Sequence, residues 1–353
     1  MQNDRGNTTM AQKIELGLDT FGDVTFDAAG ALLPQPQVLR NVVAEAVLAD
    51  QVGLDFFGIG EHHRGDFAVS APEVVLAAIA GRTRDIRLGS AVTVLSSDDP
   101  VRVFQRFSTL DAVSNGRAEV VLGRGSFTES FPLFGLELDR YELLFEEKLN
   151  LFTELLKEEP VTWAGETRGA LKQQSVYPPT ESGSLRTWIG VGGSPQSVVR
   201  AAHYGLPLML AIIGGSPLAF EPLVDLYHRA LAQFEKPIQP IGEHSPGYIA
   251  ATDAQACEEM WPHYAAMQER IGRERGWGPV SRERFEHDAG PDGALFVGSP
   301  ETVATKIASV AKGLGLSRFD LKYSLGTLAH EKLMTSIELY GTQVAPLVRE
   351  QLA

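Results

Sequence analysis

A strand-then-helix rhythm repeated eight times is the feature that most narrows what this chain can become. Short runs rich in apolar and β-branched residues at Lys13–Phe21, Asp55–Ile59, Ile86–Leu95, Ala118–Leu122, Thr187–Val191, Leu206–Ile212, Gly247–Ala251 and Arg318–Lys322 read as strands. Helical patterns separate them. Gln37–Val52 carries Val38, Val42, Val43, Ala46 and Val47 at helical spacing, and Pro72 and Pro100 open the next two helices from first-turn positions. Tyr141–Lys157, a helix capped by Ser194, Glu221–Phe234, Asp253–Arg270 and Pro300–Leu314 follow, and Glu331–Arg349 closes the chain. Parallel strands joined by right-handed helical crossovers, eight in number, predict an α/β chain closed as a single (β/α)8 TIM barrel. Two stretches interrupt the rhythm: Val161–Tyr177 reads as an inserted surface hairpin or loop, and Arg273–Ala294, placed after strand seven, as a mobile loop. An open nucleotide-binding sheet is disfavoured because the first βα turn lacks Gly-x-Gly-x-x-Gly; the nearest approach is Gly190-Val191-Gly192-Gly193 at strand five. No repeat or linker divides the chain, so residues 1–12 are expected to be a frayed tail and 13–353 one barrel domain.

Composition removes several function classes. A net charge of -14 repels phosphate backbones and anionic lipid, which argues against nucleic-acid or membrane-surface partners. The longest apolar stretch, Leu206–Ile213, is too short to cross a bilayer, and Met1–Gln12 has no apolar core of a targeting sequence. One cysteine, Cys257, excludes an internal disulfide and suggests a reducing compartment, so a cytoplasmic location is expected.

In a (β/α)8 barrel the chemistry sits where strands end. The end of strand two reads Gly58-Ile59-Gly60-Glu61-His62-His63-Arg64. Neighbouring side chains on extended backbone point to opposite faces, so only one of His62 and His63 can share space with Glu61, which makes a poor two-histidine metal clamp and a good single acid–base group. No metal site is expected. Gly192-Gly193-Ser194-Pro195-Gln196-Ser197 puts free backbone N–H groups and two hydroxyls at a helix start, suited to an anion such as phosphate. Gly123-Arg124-Gly125-Ser126 sets a guanidinium between glycines, able to fork onto a phosphate or a ring carbonyl.

Taken together, Glu61-His62-His63, Leu88-Gly89-Ser90-Ala91-Val92-Thr93-Val94-Leu95 with Asp99-Pro100-Val101-Arg102, Leu110–Arg117 with Gly123-Arg124-Gly125, Gly205-Leu206-Pro207, Val297–Glu301 and Thr342–Pro346 resemble the bacterial luciferase family of flavin-dependent monooxygenases over nearly the whole chain. The resemblance implies a barrel using reduced FMN and oxygen on a small organic substrate, with FMN supplied by a separate flavin reductase, and commonly a homodimer. By the same resemblance His62 is the active-site histidine and Ala91-Val92 a non-prolyl cis peptide beneath the flavin ring, with Thr93 close to it. Arg124 with Gly125 lies on the phosphate side, and Gly193, Ser194 and Ser197 hold the phosphate. Gly193 stands where light-emitting members often have glutamate, and no cysteine stands beside Arg124, so light emission is not expected. Phe21, Phe127 and Ile212 are candidates for the substrate wall, which leans toward an apolar aldehyde, alkane-like or aromatic substrate.

Three alternatives stay open at this level. Related barrels use the deazaflavin coenzyme F420 for hydride transfer. A Schiff-base lyase on Lys322, with Asp19 or Asp320 as acid or base, is a different enzyme class. A flavin-binding relative without catalysis would be expected to lose the pocket histidine, which this chain keeps.

Overall fold

A computed structural model describes residues 14–27, 29–125 and 127–353; the expected 1–12 tail lies outside them. Eight parallel strands form the barrel: β1 Glu15–Thr20, β2 Phe56–Ile59, β3 Arg87–Ser90, β4 Ala118–Gly123, β5 Arg186–Val191, β6 Leu208–Ala211, β7 Ile241–Ile249 and β8 Arg318–Lys322. Each pairs with the next, and β8 returns to β1 with Glu15 opposite Arg318 and Asp19 opposite Lys322, so the sheet has no free edge. The helices α1 Gln35–Gln51, α2 Pro72–Ala80, α3 Pro100–Val113, α4 Tyr141–Leu155, α5 Pro195–Tyr204, α6 Glu221–Gln233 and α7 Asp253–Arg275 follow the first seven strands. Each of the first six starts with Pro in its first turn or has an acidic residue there, as helix starts favour.

Three expectations need correction. Strand three stops at Ser90, where the Ala91-Val92 peptide is cis, and resumes only as the pair Thr93–Val94. Strand seven begins at Ile241, six residues before the expected Gly247, because Pro246 and Gly247 disguise a strand that the closed barrel nevertheless pairs on both sides. The segment Arg273–Ala294 is not a plain loop after strand seven. It begins as the last turn of α7 and then forms α8, Arg282–Ala289, which Ser281 caps by accepting from Arg284 N at 3.2 Å. Arg282–Glu286 and Arg284–Asp288 pairs, four residues apart at 2.7 and 2.8 Å, support α8, and Phe285 is its buried anchor. The Val161–Tyr177 insertion does contain the expected hairpin, Val161–Trp163 against Leu171–Gln174. A short strand Phe296–Gly298 on the end of β7, then α9 Pro300–Leu314, leads to β8, and α10 His330–Leu339 and α11 Ala345–Leu352 close the chain.

Alternation along β8 sorts its side chains. Phe319 and Leu321 are fully buried outward against helices, while Arg318 and Asp320 fill the barrel. At the floor, Glu119 of β4 accepts from Arg318 Nη1 at 2.7 Å, Trp188 Nε1 at 2.9 Å and Arg186 Nη1 at 3.2 Å, and also from Arg87. Arg318 in turn donates to Asp320 at 2.9 Å and lies 3.4 Å from the centre of the Phe56 ring. These charges close the N-terminal end of the barrel, so access to its interior is from the opposite mouth. There, Gly60 is required by contact: an added Cβ would lie 2.3 Å from Phe21 Cδ1 and 2.7 Å from the Ala91 carbonyl. Gly60→Ala is therefore expected to cost about 1–3 kcal/mol of stability, read from a denaturant midpoint; an unchanged midpoint would show that the rim can give way.

Candidate active site

His62 leaves β2 on the rim and enters a box of phenylalanines. Phe21 meets its ring edge-on at 4.5 Å, Phe67 tilts against it at 4.5 Å and Phe127 closes a third side at 5.1 Å. Its backbone N–H donates to the Val69 carbonyl at 3.0 Å, which fixes the loop, but neither ring nitrogen has a hydrogen-bond partner among the described residues. Burial first, then the nearby charges of Lys322 and Arg64, lower its pKa to about 3. His62 is a neutral imidazole at physiological pH, able to accept a hydrogen bond at one ring nitrogen and donate one from the other without carrying charge.

His63 bonds Glu61 at 2.8 Å, and contrary to the expectation that only one of the two histidines shares space with Glu61, both line one pocket with it, because β2 has already ended at Ile59. The second Glu61 oxygen accepts from Val94 N at 3.1 Å, so this pair ties the rim of β2 to the broken end of β3. Thr93 is buried there with its hydroxyl unpartnered. Val92 packs on Gly123 and Gly190, whose missing side chains leave it room. His62, Gly125 and Phe127 line one small pocket with Glu61, Val94 and Glu129, with room for about one water molecule.

Arg64 ties together the segments beside that pocket. Arg64 donates to Glu274 at the end of α7 at 2.7 and 2.9 Å, to Asp66 in its own loop at 3.0 Å, and to Glu129 in the loop after β4. Its Cζ also lies 4.6 Å from the centre of the Phe127 ring. Two loops and the end of α7 thus meet at one residue.

The anion-binding candidates gather at the ends of β4 and β5. Arg124 and Arg200, the latter on α5, both donate to the Glu142 carboxylate, Arg200 at 3.1 Å, and Arg124 lies 5.0 Å over Tyr141. Arg200 Nη1 is buried without a partner. Gly193 takes φ +112°, a backbone conformation that favours glycine, and swings the chain from β5 to the start of α5. Ser194 caps that helix, accepting from Ser197 N at 3.4 Å and donating to Gln196 at 2.9 Å, and Ser197 is buried. Glu142 is a carboxylate seated between two arginines, as an external anion would be, and its side chain is 61% exposed. The donor set suits a phosphate.

Of the candidate wall residues, Phe21 and Phe127 touch His62, whereas Ile212 is fully buried, its N–H donating to the His244 carbonyl at 2.9 Å. Lys322 is paired with Asp23 at 2.6 Å and bonded to Ser324, which leaves no unpaired amine for a Schiff base. Among the described residues no acidic, histidine and cysteine cluster could hold a metal, and no helix is long and apolar enough to cross a membrane.

Residues 20–318 match the family model described as luciferase-like monooxygenase. The chain belongs to that family. Among its enzymes, the 4-hydroxyprotoasukamycin monooxygenase of Streptomyces nodosus subsp. asukaensis is 28% identical over 316 residues, covering 84% of this chain and 83% of the relative. The fold also matches the oxygenating constituent of 3,6-diketocamphane monooxygenase from Pseudomonas putida, solved with FMN, at a TM-score of 0.76 and 18% identity over 95% of this chain and 98% of that one. The coenzyme F420 dependent tetrahydromethanopterin reductase of Methanopyrus kandleri aligns at a TM-score of 0.70 and 18% identity, over 95% and 99%.

Sequence reasoning missed Arg64 as a hub, Arg200, and the pair His244–Asp19 inside the barrel. Arg200 carried a signal, since it lies on the helix begun by Ser194, but its meeting with Arg124 needs the fold.

Proposed function

We propose that this luciferase-like monooxygenase uses reduced FMN and dioxygen to oxygenate a small, largely apolar organic substrate. The observation that carries the reading is His62, neutral, walled by three phenylalanines and unpartnered at both ring nitrogens among the described residues, at the same barrel mouth as an arginine pair already holding an anionic group. Bound reduced FMN supplies the electrons that activate oxygen. The chain's own residues do the rest. Arg124, Arg200, Ser194 and Ser197 hold the phosphate, with Gly193 letting backbone approach it. Ala91, Val92 and Thr93 support the ring, and the orphaned Thr93 hydroxyl and Gly125 serve its polar edge. Phe21, Phe67 and Phe127 exclude water, and His62 accepts or relays a proton at the reacting oxygen. Ile212 stiffens the wall from behind. In this reading residues 13–353 act as one domain, in a homodimer fed by a separate flavin reductase in the cytoplasm.

Anaerobic titration with FMN and with riboflavin tests the phosphate seat. Arg124→Ala should weaken FMN by about 10–100-fold, the worth of a charged hydrogen bond of about 1.5–3 kcal/mol, and leave riboflavin unaffected. Binding of the deazaflavin coenzyme F420 in place of FMN would sink the FMN reading and leave a hydride-transfer enzyme.

A further inference from the structure

A neutral His62 leaves the mouth short of a group that gives a proton. The interior of the barrel holds one. His244 on β7 donates from Nδ1 to Asp19 Oδ2 at 2.5 Å, and Asp19 is the penultimate residue of β1, two before Phe21. The His244 ring stacks on Phe21 at 6.2 Å and 23°, while His62 meets the edge of the same ring at 4.5 Å. One phenyl ring therefore separates the two imidazoles. Asp19 is fully buried, and its other oxygen, Oδ1, has no partner. His244 keeps 13% side-chain exposure, and its Nε2 is unpartnered among the described residues.

The charged groups around His244 come from three strands, beginning with Glu243 beside it on β7, a fully buried carboxylate that accepts from Ser245 at 2.8 Å and whose pKa burial raises to about 7. Asp19 comes from β1, Asp320 and Lys322 from β8, and the residue opposite on β6 is Ala211, which does not titrate. Lys322 is itself bound to Asp23 and lies 4.5 Å over Phe21. Burial opposes the charge on His244, but the Asp19 carboxylate, its hydrogen bond and Asp320 outweigh burial and Lys322, and the imidazole's pKa is raised.

We propose that His244, anchored by Asp19, is a second acid–base group of the barrel mouth, which gives a proton to an oxyanion forming there while His62 accepts one. This rests on the oxygenating function proposed above. As the Nε2–H bond breaks, the O–H bond forms; the imidazole is left neutral with Nδ1–H still on Asp19, and solvent returns the proton to Nε2. The Asp19 bond engages Nδ1 while the ring stacks on Phe21, which leaves Nε2 as the nitrogen for proton transfer, the role a carboxylate plays behind a working imidazole.

The test follows histidine ring signals by NMR across pH 4–9 in the cofactor-free protein, with His244→Gln identifying the signal. His244 should titrate above the ordinary histidine value, and Asp19→Asn should lower its midpoint by about one to three pH units. Turnover should fall on the alkaline side at that same midpoint, and the limb should move with it in Asp19→Asn. His244→Gln should lose the limb while still binding FMN, and it serves if the buried Asp19 variant does not fold. A His244 signal at or below the ordinary value, or an alkaline limb that persists in His244→Gln, would overturn the proposal. Failure of the flavin reading shows separately, as wild-type protein that does not bind FMN, and the NMR arm needs no cofactor.

Discussion

His62→Ala is expected to lower turnover by about 10²–10⁴-fold, the range supplied by a positioned acid–base side chain, while FMN binds with near-normal affinity. The separation follows from what the groups touch: His62 lies in the phenylalanine box, whereas Arg124 and Arg200 meet at Glu142 and Ser194 caps α5. Because burial and neighbouring cations hold its pKa at about 3, His62 should give no limb in the pH profile between 5 and 8. Any limb there belongs to another group. Stopped-flow turnover with reduced FMN, beside a thermal melt to confirm folding, measures the effect, and unchanged turnover would remove His62 from the mechanism.

The second large effect is on stability. Glu119→Gln is expected to cost about 3–5 kcal/mol, because it strips the charge that faces Arg318, a guanidinium with no exposure at all. Burial alone would raise the Glu119 pKa, but Arg318, Arg186 and Arg87 together depress it to about 2. A depressed carboxylate contributes stability that is complete above its unfolded value, near 4.5, and that drains away as pH falls toward 2. Asp320 acts in the opposite sense: raised to about 6 by burial, it favours the fold when protonated and loses that contribution as pH rises through 6. The Glu119 signature is therefore read below about pH 4, where wild type should lose stability more steeply than the variant. Parallel curves would mean that the floor charges act independently of this carboxylate.

Much of this was legible in the residues, for a physical reason. A closed barrel demands the same local event eight times, so apolar runs, prolines at helix starts and Ser194 reported the order of elements without any long-range information. Strand-end glycines and His62 marked the rim for the same reason. What escaped reading depends on distant residues meeting. His244 fell outside the expected strand because Pro246 and Gly247 argue against one, and only pairing with both β6 and β8 makes it a strand. Helix α8 buries few of its residues and owes much to charge pairs, which leave little hydrophobic period to find. Arg318 and Asp320 did alternate with Phe319 and Leu321, a visible inward-charge pattern, yet their partner Glu119 lies 199 positions earlier.

The joining of two loops and the end of α7 at Arg64 bears on how this enzyme can be diversified. Barrel catalysts are versatile because each loop at the mouth can change while its neighbours stand still. Here a graft of the loop after β2, of the one after β4, or of the end of α7 removes Arg64 or one of its carboxylates, and with it the packing over Phe127. The three segments form one heritable module, and a new specificity built on this scaffold has to be transplanted as a set.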